Sequence, residues 1–462
     1  MITDCDYKKL YFVGAGGIGM AALERYFLAK GCEVAGYDRT PSPLTDELIE
    51  EGVDITFDAS AEAIPESFRN PEETLVVFTP AVPESHPGLQ YFRRENFRVV
   101  KRSALLGEVT RLSRSLCFAG THGKTTTSSM AAHILHSSGV GCNAFLGGEL
   151  LNYGTNFLLN PTSDFSVAEA DEYDRSFHRL TPYIAVVTST DPDHLDIYGS
   201  EENYLESFSH FTELIRPDGK LIIHTGLKFV PRPPKGVKTY TYSATEGDFH
   251  AENIRYGYGS ITFDFVAPDG VVRDIPLGVP VEVNIENAVA AMAAVWLTGS
   301  VTADDMRRAV ASFRGAARRF ELIWKDNKPQ GRVFIDDYAH HPDELRASIT
   351  SVKKLFPGRK LTVAFQPHLY TRTRDFAPEF AEALSLADQI ILLDIYPARE
   401  EPIPGVTSQM IFERIQNPEK QLISKELLPE TIKNTNFEIL LTAGAGDISN
   451  LVPVIRKTIE NQ

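Results

Sequence analysis

Residues 116–127 read Leu116-Cys117-Phe118-Ala119-Gly120-Thr121-His122-Gly123-Lys124-Thr125-Thr126-Thr127. The apolar run Leu116–Ala119 has the character of a buried strand, and a helical pattern extends from Lys124 to about Ser137. A glycine loop joining strand to helix gathers backbone N–H groups and the positive helix end around one point, a cradle for phosphates. In such a loop Lys124 reaches the terminal phosphates and the Thr125 hydroxyl binds Mg²⁺. Gly120, Thr121, His122, Gly123, Lys124, Thr125 and Thr126 form the predicted ATP-binding loop. The usual pattern carries a glycine where this chain has Phe118, so Gly120 supplies the flexibility. The competing reading is a glycine turn that only opens a helix.

Two acidic clusters downstream weigh against that plainer reading. Glu169-Ala170-Asp171-Glu172 follows a predicted strand at Phe165–Ala168, and Asp191-Pro192-Asp193-His194-Leu195-Asp196 follows another at Ile184–Thr188. Open α/β sheets bind ligands at the C-terminal ends of their strands, and Mg²⁺ takes hard oxygen ligands. Either cluster alone reads as a solvated loop. Both within reach of a phosphate loop read as a magnesium–nucleotide centre.

Upstream, Gly14-Ala15-Gly16-Gly17-Ile18-Gly19 fits G-x-G-x-x-G between a strand at Leu10–Val13 and a helix at Ile18–Lys30. Asp38 follows a second strand, Val34–Tyr37, at the distance of a ribose-binding acid. The pattern suggests a nicotinamide site, yet its physical content is only a diphosphate on a helix end with a ribose nearby. Any diphosphate-linked nucleotide meets that requirement, and the chain already has a separate ATP loop.

Further strands are predicted at Leu75–Thr79, Arg98–Val100 and Leu221–His224, with antiparallel strands near Ile261–Phe265 and Val271–Ile275. Residues 225–240, rich in proline and lysine, read as an exposed connection. Helices at about Asn284–Leu297 and Ala303–Phe313 lead to a hinge at Arg314–Arg319. Beyond it, strands at Val333–Asp336, Leu361–Phe365, Ile390–Leu393 and Ile439–Leu441 form a third unit. The alternation of strand and helix predicts an α/β protein with mostly parallel sheets.

The 462 residues exceed one ordinary core, so two to four domains are expected. A formal net charge of −16 without a basic run excludes nucleic-acid binding or an anionic membrane surface as the main role. The four cysteines show no metal-ligand spacing and read as reduced thiols. With no signal-peptide pattern and no apolar run of membrane-spanning length, the sequence predicts a cytoplasmic protein.

The C-terminal third carries Arg318-Arg319-Phe320-Glu321, Asp336-Asp337-Tyr338-Ala339-His340-His341-Pro342 and Phe365-Gln366-Pro367-His368-Leu369-Tyr370-Thr371-Arg372-Thr373-Arg374. His340 and His341, taken as neighbours in a strand, would face opposite ways and not share a zinc ion. The arginines could serve a phosphoryl-transfer transition state or stand on the surface.

In their order along the chain, GTHGKTTT, EADE, DPDHLD, RRFE, DDYAHHP, FQPHLYTRT and the late Gly444-Ala445-Gly446-Asp447-Ile448 resemble the muramyl (Mur) ligases of peptidoglycan synthesis. The resemblance spans nearly the whole chain. It implies three domains: a Rossmann-like UDP-substrate domain at 1–112, a central P-loop ATPase-type domain at 113–315, and a Rossmann-like amino-acid-binding domain at 316–462. It seats the diphosphate of a UDP-sugar on Gly14, Ala15, Gly16, Gly17, Ile18 and Gly19, with Asp38 beside it. It assigns Lys124 to the ATP phosphates and Thr125, Glu169 and His194 to one or two Mg²⁺ ions. Arg319 is drawn toward the γ-phosphate, Asn287 to adenine and Asp337 to the nucleotide sugar, while Tyr338, His368 and Arg372 hold the amino acid. The chain departs from the family's commoner residues at Val283, Leu369, Ser189, Tyr173 and Arg175, and residues 195–219 contain no Lys.

The implied activity is ATP-dependent joining of L-alanine to the lactyl carboxylate of UDP-N-acetylmuramate through an acyl phosphate, with Lys124, Glu169, His194 and Arg319 as catalytic residues. The partners are these small molecules, without nucleic acid or membrane insertion, and the enzyme is a monomer or homodimer. Three readings compete: a recycling ligase that attaches a preformed tripeptide to the same sugar nucleotide, an ATP-hydrolysing switch protein, and an NAD-dependent oxidoreductase.

Overall fold

The computed structural model of the chain describes residues 7–460 apart from Pro80, His194, Tyr258, Pro329 and Arg399. Its strands, in chain order, begin with β1 Lys9–Val13, β2 Glu33–Tyr37, β3 Asp54–Thr56, β4 Thr74–Phe78 and β5 Arg98–Lys101. They continue with β6 Arg114–Ala119, β7 Asn143–Leu150, β8 Thr155–Leu158, β9 Phe165–Ala170, β10 Ile184–Val187, β11 Lys220–His224 and β12 Lys238–Tyr242. Next come β13 His250–Gly257, β14 Ser260–Ala267 and β15 Gly270–Pro276. The last six are β16 Glu321–Lys325, β17 Val333–Asp337, β18 Leu361–Phe365, β19 Gln389–Leu393, β20 Lys420–Ile423 and β21 Ile439–Ala443.

The first sheet has the order β3-β2-β1-β4-β5 and is parallel throughout. The second, β12-β11-β10-β6-β9-β7-β8, is parallel except for the antiparallel β7–β8 edge. A small third sheet has the order β13-β14-β15, and the fourth runs β16-β17-β21-β18-β19-β20 with one antiparallel pair, β16–β17. The expected α/β class with mostly parallel sheets is what the chain adopts. Parallel strands covered on both faces must be apolar along their whole length, and Ile184, Ala185, Val186 and Val187 of β10 are fully buried.

The chain forms two compact units: residues 1–252, 264–273 and 286–310 in one, and 253–263, 274–285 and 311–462 in the other. The first two sheets lie in the first unit and share a core in which Phe12, Leu23 and Val77 join Cys117, Ala168, Val187 and Phe208. The fourth sheet has its own core, including Phe334, Ala364, Ile391, Leu440 and Ile455.

Sheet order decides where ligands can sit. β1 lies between β2 and β4, and β6 lies between β10 and β9, so each opens onto a crevice where connections leave in opposite directions. Both glycine loops follow these strands. Gly14 (φ +92°) ends β1 and Gly120 (φ +137°) ends β6, in backbone regions that side-chain-bearing residues rarely adopt.

Three expectations need correction. The connection at 225–240 is shorter than expected, because Lys238–Tyr242 pairs with β11 as β12. β9 runs two residues past Ala168, which puts Glu169 inside the sheet rather than after it. His340 and His341 are not strand neighbours, since β17 stops at Asp337 and His341 caps the helix Pro342–Leu355, its Nδ1 accepting from Asp343 N.

Candidate active site

The loop after β6 is held in place from β10's side. His122 N donates to Ser189 Oγ at 2.7 Å, and Thr188 Oγ1 donates to His122 O at 2.5 Å. Thr121 Oγ1 donates to Asp191 O at 2.6 Å and lies 2.8 Å from the Tyr204 hydroxyl. Gly123 (φ +82°) stands at the N-cap of the helix Lys124–Ser137. Thr126 occupies the first turn of that helix.

Lys124 Nζ donates to Gly120 O at 2.6 Å and to Glu172 Oε1 at 2.9 Å, with Glu172 Oε2 at 2.8 Å. Glu172 is buried, and burial raises its pKa against the opposing pull of Lys124. Tyr198 completes the support, donating its hydroxyl to Glu172 O at 2.6 Å. Beside this pair, Thr125 Oγ1 lies 3.0 Å from both oxygens of Glu169, and Gly147 N donates to Glu169 Oε2 at 3.0 Å. A hydroxyl and a carboxylate are the hard oxygen donors that Mg²⁺ prefers, and that ion keeps its remaining positions for water and phosphate. The residues present therefore fit the ion, although no group of three or more His, Cys, Asp or Glu suited to a metal occurs among the described residues. His194, the third expected ligand, lies outside the described residues.

Asn287, on the helix Val283–Trp296, reaches the same loop: Thr127 Oγ1 donates to its Oδ1 at 3.2 Å, and a side chain on Gly123 would collide with it. One residue earlier, Glu286 Oε1 is 3.3 Å from His224 Nε2 at the end of β11. That bond and the charge of Glu286 raise the pKa of His224, and the same contact lowers that of Glu286.

The N-terminal loop is built differently. Gly14 N and Ala15 N both donate to Tyr37 O, at 2.7 and 2.9 Å, which folds the loop over the end of β2. Gly16 N donates to Asp38 Oδ2 at 2.7 Å, so one oxygen of the expected ribose acid is engaged by the loop itself. Ile18 is exposed, with its carbonyl accepting from Asn156 Nδ2 at 3.1 Å. A Cβ on Gly19 would lie 2.9 Å from Nη1 of Arg102.

In the second unit, Asp337 is buried and accepts from Phe320 N at 3.2 Å and from Ser348 Oγ. Burial raises its pKa, and Arg319 works against that shift. The guanidinium of Arg319 lies 5.0 Å from the centre of the Tyr338 ring. Neighbouring Arg318 binds Asp336, whose carboxyl burial pushes up to about 6. Arg372 Nη1 is 3.3 Å from His368 Nδ1, and the His368 ring stacks on Tyr396 at 5.8 Å. Leu369 between them takes φ +71°, a strained value for a leucine, at the start of the helix Tyr370–Leu384. Tyr338, His368 and Arg372 thus share one unit, with His340 adjoining both Tyr338 and His368 at 5.3 and 6.0 Å between rings.

Sequence reasoning brought Lys124, Thr125, Glu169 and Asn287 to one place, and there they meet. It missed the role of Glu172, which stood inside a quoted motif without a partner, and it missed the His224–Glu286 pair and Arg102. No local pattern announces a lysine–glutamate pair whose members are this far apart in the chain.

Comparison with known proteins supplies names for the three regions. Residues 9–114 match the model described as "Mur ligase family, catalytic domain", residues 118–295 "Mur ligase middle domain", and residues 318–448 "Mur ligase, glutamate ligase domain". A UDP-N-acetylmuramate–L-alanine ligase of Parabacteroides distasonis is 60% identical over 98% of this chain and 97% of its own length. One of Flavobacterium johnsoniae is 45% identical, over 98% of each chain. The crystal structure of a UDP-N-acetylmuramate-alanine ligase from Thermotoga maritima superposes with a TM-score of 0.78 at 26% identity, covering 98% of this chain and 99% of that one.

Proposed function

This chain belongs to the Mur ligase family, and from that premise we propose that it joins L-alanine to UDP-N-acetylmuramate with conversion of ATP to ADP and phosphate. The observation that carries the reading is the pair of contacts Lys124–Glu172 and Thr125–Glu169 at the mouth of the β6 crevice. An ammonium and a hydroxyl–carboxylate pair beside this glycine loop support a triphosphate bound there.

Attack of a carboxylate on a phosphate brings two anions together and needs local positive charge. Lys124 supplies it from the loop, and Arg319 is assigned to the γ-phosphate from the C-terminal region. Thr125 and Glu169, with His194, would hold Mg²⁺, which when bound neutralises phosphate charge. The lactyl oxygen bonds to the γ-phosphorus as the bond to ADP breaks. The alanine amine then bonds to the acyl carbon, phosphate leaves, and the amine proton passes to a base. The amine of free alanine is protonated at neutral pH, so it must lose a proton before it attacks. Tyr338, His368 and Arg372 are the residues assigned to alanine, Asn287 and Asp337 to the nucleoside of ATP, and Gly14–Gly19 with Asp38 to the UDP moiety. The reading assigns the enzyme to the cytoplasm, as a monomer or homodimer. Among the described residues no helix is long and apolar enough to cross a membrane.

Phosphate release with UDP-N-acetylmuramate, scanned over alanine, serine, glycine and the stem tripeptide, tests the proposal. Alanine is expected to give the highest kcat/KM. Preference for the tripeptide would make the chain a recycling ligase, and ATP hydrolysis indifferent to every acceptor would make it a switch protein.

A further inference from the structure

We infer that Arg102 is the charged contact for the diphosphate of the sugar nucleotide, and that position 19 is glycine because the Arg102 guanidinium occupies the space of a side chain there. The assignment deepens the proposed function and rests on it.

Arg102 is the first residue of the helix Arg102–Arg111 that follows β5, and its side chain lies against the last glycine of the N-terminal loop. An ideal Cβ on Gly19 would stand 2.9 Å from Nη1, 3.2 Å from Cζ and 3.3 Å from Cδ of Arg102. The first approach is closer than a Cβ atom tolerates and the other two are tight, so the end of the Arg102 side chain would have to shift. The third glycine of such a loop ordinarily serves the packing of helix against strand. Here its Cα faces a cation.

The guanidinium is half-buried, and no hydrogen bond or ion pair to it occurs among the described residues. The surrounding protein depresses its pKa by desolvation. Asp171 and Glu169 act on it only through space. Both carboxylates are engaged elsewhere, Glu169 with Thr125 and Gly147, and Asp171 with Tyr173 N at 3.0 Å. A desolvated arginine whose only counter-charges act through space, with no hydrogen-bonded partner, is unfavourable in a protein that has 62 acidic residues available. The planar fork of a guanidinium matches phosphate oxygens in pairs, which a lysine does not. Its position beside Gly19 points to the diphosphate seated on that loop.

The test uses the full chain and calorimetric titration with UDP and with UDP-N-acetylmuramate. Arg102→Met is expected to weaken both ligands by the same factor, roughly 10- to 100-fold for a lost charged hydrogen-bond pair. KM for UDP-N-acetylmuramate should rise with kcat nearly unchanged. The ligand-free variant should unfold at or above the wild-type Tm, because an uncompensated charge has gone. Gly19→Ala should weaken UDP binding in the wild-type background and add less than about twofold to Arg102→Met, since the two changes remove one contact. Unchanged UDP affinity with weakened UDP-N-acetylmuramate would give the arginine to the carboxylate and overturn the proposal. A lowered ligand-free Tm, or additive effects of the two substitutions, would overturn it as well by making Arg102 a structural residue. Wild-type protein that bound no UDP would sink the proposed function itself, an outcome distinct from a failure of Arg102 alone.

Discussion

The two glycine loops of the first unit follow the same plan and are charged in opposite ways. Each leaves a buried parallel strand through a glycine of positive φ and opens a helix at a crevice of its sheet. The loop after β6 carries its own cation, and that cation is already matched: Lys124 by Glu172, with Thr125 held by Glu169. The loop after β1 contains no cation. Its one hydrogen-bonded charged contact is an acid, Asp38 on Gly16 N, and a positive group, Arg102, is brought against Gly19 from another helix without a hydrogen-bonded partner. The loop after β6, proposed for ATP, thus has its cation matched within the protein, whereas the loop after β1, proposed for the sugar nucleotide, draws its cation from a separate helix. Two loops with the same backbone can differ entirely in where their charge originates.

The strongest way to break this comparison is Lys124→Ala. Loss of the one cation within the loop should lower kcat by about 10³-fold or more, while calorimetry shows UDP binding unchanged. Simultaneous loss of UDP binding would mean that the two loops do not act as separate seats.

Glu172→Ala probes how far the ATP loop depends on its internal partner. Removing one member of a buried pair leaves the other uncompensated, at a cost of about 3 kcal/mol. Thermal unfolding should show a markedly less stable ligand-free protein and a larger stabilisation by ATP than in the wild type, because phosphate replaces the missing carboxylate. An equal ATP shift in both proteins would contradict the handover of Lys124 from Glu172 to nucleotide.

On the other loop, Asp38→Asn removes the charge that fixes Gly16 N and should weaken UDP about tenfold, the value of one charge-assisted hydrogen bond. ATP affinity should not move.

The smallest effect concerns Glu24, on the helix Ile18–Ala29 behind the first loop. Its carboxyl is fully buried, neither oxygen has a hydrogen-bond partner, and burial raises its pKa well above the usual value. Glu172 is buried against a cation bonded to it; Glu24 is buried with no hydrogen-bond partner on either oxygen. As pH rises above the ordinary glutamate range near 4.3, the unfolded chain releases this proton while the fold retains it. Stability contributed by the protonated form is therefore present at low pH and lost as pH rises toward the folded pKa. Glu24→Gln should flatten that slope and leave the protein at least as stable at neutral pH, measured by denaturant unfolding from pH 4 to 8. A large destabilisation at neutral pH would show that the ionised form is used.

Much of this was legible beforehand, for a local reason. The runs Leu116–Ala119 and Ile184–Val187 are continuous apolar stretches, and a strand covered on both faces needs that composition wherever it lies in the sheet. The Lys124 helix and both glycine loops follow from spacing within a few residues. Errors arose where a neighbour outside the window decides. His341 reads as a strand residue until the Pro342 helix claims it as a cap, and Lys238–Tyr242 reads as linker until β11 offers it an edge.

The sequence by itself determined the α/β class, the positions of the two phosphate-type loops and the family. Those are properties of short segments and their order. Only the tertiary structure decided which charges meet. Placing β6 beside β9 in parallel register sets Phe118 opposite Glu169 and Ala119 opposite Ala170, which brings Thr125 to Glu169 and Lys124 to Glu172. Side-chain contacts of a few ångströms depend on strand order and register, and neither is written in the spacing of residues along one segment.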